Sequence, residues 1–156
     1  MIKQCLHVIA GFLFMLLLTA CIAEDYDAGP PELRLSVKED LFALKEANVD
    51  WKTEEKEFKN KVDNFLTLAS EQEEIKLSPN QSAELILLEN KEDGGEYTNE
   101  TMRVSLWKGN EELKLTTKSS SDYSFSFPSE PGQYILEIDF ATSKGYSQYV
   151  GNIILK

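Results

Sequence analysis

The period of the side-chain pattern changes once along this chain, and that change limits what its second half can become. From Glu73 to Lys156 apolar and polar residues alternate, the signature of extended strands with one face buried. Met102, Val104 and Leu106 alternate with Arg103, Ser105 and Trp107. Tyr134, Leu136, Ile138 and Phe140 alternate with Gln133, Ile135, Glu137 and Asp139. Ile75–Leu77, Ala83–Glu89, Leu113–Leu115, Tyr123–Phe127 and Ser147–Leu155 bring the set to seven short strands. Ser78-Pro79-Asn80, Lys108-Gly109-Asn110 and Ser143-Lys144-Gly145 supply turn chemistry between them. Short strands with regular turns predict a mainly β chain folded as an antiparallel β-sandwich.

The first half is mixed. Leu33, Leu35 and Val37 alternate with Arg34, Ser36 and Lys38, a strand pattern. Residues 41–52 read as a strand ending at Trp51, although Leu41, Leu44 and Ala47 also suit one face of a helix. Thr53 to Ser70 carries the clearest helical pattern. Thr53 can cap it, Glu54 and Glu55 suit the positive end of the dipole, and Phe58, Val62, Phe65, Leu66 and Ala69 form one apolar stripe. Leu85-Ile86-Leu87-Leu88 breaks the strand alternation, which predicts a strand buried on both faces. The helix at about 53–70 is the available cover. Residues 32–156 therefore read as a single domain, an amphipathic helix packed on a sandwich at about 73–156.

Glu130-Pro131-Gly132-Gln133-Tyr134-Ile135-Leu136 resembles the tyrosine corner of immunoglobulin-like domains. The resemblance implies an immunoglobulin-like sandwich in which the Tyr134 hydroxyl bonds back to nearby backbone, with Leu136 at the position of the antibody cysteine. On that reading Tyr134 is structural.

Residues 1–20 look like a segment removed from the mature protein. They hold Lys3 and no acid, and the run from Val8 to Leu18 is unbroken and apolar. A span needs about 20 apolar residues, whereas a signal-peptide core needs roughly 7–15. Leu18-Thr19-Ala20-Cys21 resembles the lipobox of bacterial lipoproteins. The resemblance implies cleavage before Cys21, a diacylglycerol thioether on its sulfur, and palmitate-like acylation. An ordinary secretory cut after Ala20 or Ala23 is the alternative. Two or more chains hold a protein firmly in a bilayer. The expected location is the cell membrane, lipid-anchored on the extracytoplasmic side, with residues 21–31 as an acidic, Pro/Gly-containing tether.

Composition narrows the chemistry. The whole chain carries a net charge of −11, and loss of Lys3 makes the mature protein one unit more acidic. Nucleic acid is therefore not an expected partner. His7 and Cys5 leave with the signal segment, and acylation consumes Cys21. A mature chain without histidine or thiol cannot build a Ser-His-Asp triad, a Cys-His pair or a His-ligated zinc site. Carboxylate chemistry of the glycosidase kind stays open, but the chain is read as a non-enzyme with no cofactor beyond the lipid.

Two surfaces stand out. The acidic loop from Glu89 to Glu100, around Gly94-Gly95, has oxygens enough for calcium but fits no EF-hand register, and it also reads as a solvated loop. Trp107 and Ile135 each face away from the inner residues of their strands. If those strands pair, the two share an outer patch, a candidate interaction surface. Burial beneath the N-terminal segment is the competing reading.

Pro30-Pro31 before a strand, then Ala47-Asn48-Val49-Asp50-Trp51, then Tyr149-Val150-Gly151-Asn152-Ile153 at the end is similar to a group of small uncharacterised lipoproteins of Gram-positive spore-formers. The likeness covers nearly the whole mature chain and implies no catalytic or binding residue. The expected role is a membrane-anchored binding module for an envelope protein or peptide. A dedicated inhibitor or immunity-type protein, and a carboxylate-dependent enzyme, are the alternatives.

Overall fold

The computed structural model describes residues 29–53, 56–88, 100–117 and 122–156. It is mainly β, with two sheets packed together. Strands β1 (Glu32–Val37), β2 (Asp40–Ala43), β6 (Ser82–Leu88) and β9 (Ser124–Ser126) form the smaller sheet, in the order β2-β1-β6-β9. The larger sheet runs β4 (Glu57–Asn60), β3 (Lys45–Lys52), β11 (Gly145–Leu155), β10 (Gly132–Thr142), β7 (Thr101–Lys108), β8 (Glu111–Leu115). The remaining strand, β5 (Glu74–Leu77), pairs with β11. Every pairing is antiparallel except β5 with β11, which is parallel.

Alternation places the core. Leu33, Leu35, Leu85 and Phe125 point inward from the smaller sheet and meet Trp51, Leu106, Leu136, Ile138, Phe140 and Ile153 from the larger. Trp51 stacks on Phe140 with ring centroids 6.2 Å apart. Each such side chain contributes about 1.5–3 kcal/mol by leaving water. The β7–β8 hairpin closes over Gly109-Asn110, where Gly109 takes the left-handed φ of +62° that a two-residue turn requires.

The chain passes between sheets at one residue. β2 lies in the smaller sheet, β3 in the larger, and Leu44 joins them with its N–H donating to the Leu33 carbonyl at 3.2 Å. β3 lies along β11 from Gly145 to Val150, and β5 takes over from Asn152 to Leu155. Gly151 sits at the exchange, where a Cβ would come within 2.9 Å of Leu44 Cδ2.

The helical reading of 53–70 needs correction. Among the described residues of that stretch only Phe65–Ser70 is helical (α1), capped by the Asn64 side chain accepting from the Leu66 and Thr67 amides. Thr53 does not cap a helix. Its N–H donates to the Lys56 carbonyl and its Oγ1 accepts from the Lys56 N–H, which continues the β3–β4 pairing by one residue beyond Lys52 and Glu57. β4 follows and pairs antiparallel with β3, with Phe58 opposite Trp51. A ladder of backbone bonds and packing against Trp51 outweighs the weak local preference for helix.

The helix expected to cover Leu85–Leu88 does not lie over them. Leu85 is buried, Ile86 is half-buried and Leu88 is 40% exposed. Helix α1 packs instead on the outer face of the larger sheet, against β3, β10 and β11.

Candidate functional site

Cys21 and the acidic stretch 89–99 lie outside the described residues. Among the described residues no group of three or more acids, histidines or cysteines is arranged to hold a metal ion. Glu100 is described, and its carboxylate accepts from the Tyr123 hydroxyl at 3.1 Å.

Trp107 and Ile135 are brought together as direct cross-strand partners on the outer face of β7 and β10. They do not form an open patch. Ile135 is 9% exposed and clusters with Ala47, Ala69 and Val150, while Trp107, Val62, Phe65, Leu66 and Leu68 pack around that cluster. The Phe65 ring meets the Trp107 ring edge-on, with centroids 5.8 Å apart. The pair is thus the seat of α1, and the N-terminal segment covers it through this short helix.

A β-bulge in β3 builds that seat. Ser147 pairs with Val49 and Tyr149 with Glu46, so two residues of β3, Ala47 and Asn48, stand opposite Gln148. The extra residue resets the alternation. Ala47 faces α1 while Val49 returns to the inner core.

Asn48 opens a directional chain of hydrogen bonds. Its Oδ1 accepts from the Val62 N–H at 2.8 Å, and its Nδ2 donates to Gln148 Oε1 at 2.6 Å. Gln148 Nε2 donates to Glu137 Oε1 at 2.5 Å, and Trp107 Nε1 donates to Glu137 Oε2 at 2.6 Å. A backbone N–H and an indole N–H only donate, so both ends fix the direction, and the group between them must accept twice. A carboxylate does this. Glu137 is 8% exposed. Burial pushes its carboxyl above the ordinary value, beyond the opposing pull of its two donors, and the neighbouring Asp139 and Glu112 charges add to the rise. Beside it, Asp139 accepts from Tyr146 Oη at 2.6 Å and Arg103 Nη2 at 2.9 Å. Burial and that carboxylate hold the Tyr146 phenol protonated. The acids of this face are therefore committed to structural partners.

The far end of α1 is also held by side chains. Asn152 Nδ2 donates to the Ser70 carbonyl at 3.3 Å and the Gln72 carbonyl at 3.1 Å.

An open cleft of about 320 Å³ lies where β2, β5 and β11 diverge. Leu41, Phe42, Ala43 and Lys45 line one part, Gln72 to Ile75 another, and Val150 to Asn152 the third. Leu41 is 54% exposed. The size lies within the usual range for ligand clefts, roughly 300–1,000 Å³. Its walls carry strand edges and the charged side chains of Lys45, Glu73 and Glu74. Sequence patterning misses this cleft because it is made by the exchange of β3 for β5 along β11, a long-range event. The one local signal is Gly151 among the apolar residues of the last strand.

No family model, no curated protein and no solved structure matches this chain.

Proposed function

We propose that this chain is a membrane-anchored, extracytoplasmic binding module for an envelope protein or peptide, tethered through a lipidated Cys21. The observation that carries the reading is the pairing of a lipobox-like Leu18-Thr19-Ala20-Cys21 with a domain that carries an open cleft, walled by apolar and charged side chains alike, beside exposed Leu41. Among the described residues the best-buried acid, Glu137, has both oxygens taken by Trp107 and Gln148, which argues for a structural over a catalytic task.

The scaffold is read as immunoglobulin-like. Support comes from β6 pairing with β9, from the run β11-β10-β7-β8, and from β5 lying parallel to the last strand. The Tyr134 hydroxyl also donates to the Glu130 carbonyl at 2.9 Å, as a tyrosine corner requires. Strands β1 to β4 and α1 are then additions to one side of that scaffold.

The anchor is tested by Cys21→Ser in the full chain. The variant should pass from the membrane fraction to the medium or the soluble fraction. Retention in the membrane would remove the lipoprotein reading.

A further inference from the structure

We propose that an extended, basic segment of the partner binds in the β2–β5 cleft by adding as a new strand to the free edge of β2. This rests on the binding-module reading above and names its mode and the chemistry of its ligand.

The edge follows from the hydrogen-bond register. The Leu44 N–H donates to Leu33 O, and the two strands pair Phe42 with Leu35 and Ala43 with Arg34. Bonded and non-bonded pairs alternate in an antiparallel ladder. Leu44 and Phe42 therefore bond toward β1, and Leu41 and Ala43 turn their N–H and C=O groups away from it. These two residues line the cleft. On its other wall, Leu77 O accepts from the Lys156 N–H. The parallel register then turns the backbone of Glu74 outward.

The other strand edges among the described residues are guarded. β4 carries Glu57 and Lys59, β8 carries Glu111, Glu112 and Lys114, and β9 is three residues long. Charge and shortness are the usual protections against strand addition. β2 presents Leu41 and Ala43 with no charge between them. A strand laid along this edge forms main-chain bonds and packs apolar side chains at alternate positions. Charge selects the ligand. The walls bring Glu73 and Glu74 against Lys45, and Lys76 pairs with Glu74 at 3.5 Å, which leaves Glu73 as the wall's acid without an ion pair among the described residues. On a chain of net charge −11 this favours Lys and Arg in the incoming segment and disfavours a second copy.

The test uses the photo-cross-linking residue p-benzoylphenylalanine, placed at Leu41 of the full chain in cells that make it, or at Lys59 on β4 as a second site. Illumination should capture, from position 41, a segment richer in Lys and Arg than in acids. Ala43→Pro deletes an outward N–H and spares the β1–β2 ladder, so it should lower capture about tenfold or more with the fold intact. Ala43→Lys sets a cation on the same edge without touching the backbone and should lower capture similarly. Capture of a second copy of this chain, capture of an acidic segment, or capture indifferent to both variants overturns the proposal. Capture from Lys59 alone overturns the cleft and leaves the binding module standing. Capture from neither position rejects both.

Discussion

Replacing Trp107 with Phe isolates the bond that closes the polar chain beneath α1. The ring contact with Phe65 largely survives, and the indole N–H donated to Glu137 at 2.6 Å is lost. The carboxylate belongs to a residue only 8% exposed, so water replaces that donor poorly. A hydrogen bond to a charged group contributes about 1.5–3 kcal/mol. For a domain of this size the melting temperature should fall by about 5–12 °C at pH 7. The pH dependence separates this loss from a loss of packing. Burial raises the Glu137 carboxyl above its ordinary value of 4.5. An acid whose native pKa exceeds its unfolded one takes up a proton on folding, so stability rises as pH falls through the native value and levels off below the unfolded one. The variant, short of a donor, has the higher native pKa and gains more on acidification. The gap between parent and variant should therefore narrow from pH 7 toward about pH 4.5. Urea unfolding followed by far-UV circular dichroism at the two pH values measures it. A gap that stays constant with pH would show that Trp107 contributes packing alone, and no gap at pH 7 would show that the bond adds nothing.

Other perturbations read different parts of the fold. Tyr134→Phe removes the hydroxyl bond to the Glu130 carbonyl and should cost about 0.5–1.5 kcal/mol in urea unfolding. A null effect would deny the corner its structural role. Gly145→Ala should be far worse than Gly151→Ala. At Gly145 the φ is +146° and a Cβ would lie 2.1 Å from the Asp50 carbonyl oxygen, whereas at Gly151 the obstacle is a terminal methyl of the Leu44 side chain, which can shift more easily than backbone. Equal melting temperatures for the two variants would refute the close approach of β11 to β3 at its turn.

Much of this fold is legible in the sequence because a strand with one buried face writes its period into the chain. Met102 to Trp107 and Tyr134 to Phe140 show that period, and both segments are strands. The stripe from Phe58 to Ala69 misleads for a physical reason. Its members keep helical spacing yet serve opposite faces of one sheet. Phe58 packs on the inner core beside Trp51, whereas Val62, Phe65, Leu66 and Ala69 lie on the outer face. Spacing reports which residues share a face only if the segment is one element. A local signal against one element was present in Asp63-Asn64, a helix start in mid-stripe, and Asn64 is the cap that α1 uses. The site was legible in part. The strands of Trp107 and Ile135 face outward as alternation predicts, but what covers them depends on the β3 bulge and on α1. Neither leaves a periodic trace.

The exchange of partners along β11 links the helix seat to the cleft. Val150 packs beneath α1 and lines the cleft, and Asn152 also lines the cleft while holding the Ser70 and Gln72 carbonyls. α1 is a single short helix, too short to persist by propensity alone, so its order depends on these attachments. Asn152→Ala removes two of them and leaves the carbonyls at the helix end without their donor. The expected cost is about 1–2 kcal/mol, confined to the local opening of α1. Amide exchange at residues 66–72 should then accelerate about 5- to 30-fold, while the amides of β10 and β7 keep their protection. Equal acceleration in β10 would mean that Asn152 supports the sandwich as a whole. No acceleration in α1 would mean that the apolar seat of Ile135, Val150 and Ala47 holds the helix without help, and that the cleft and the helix are independent.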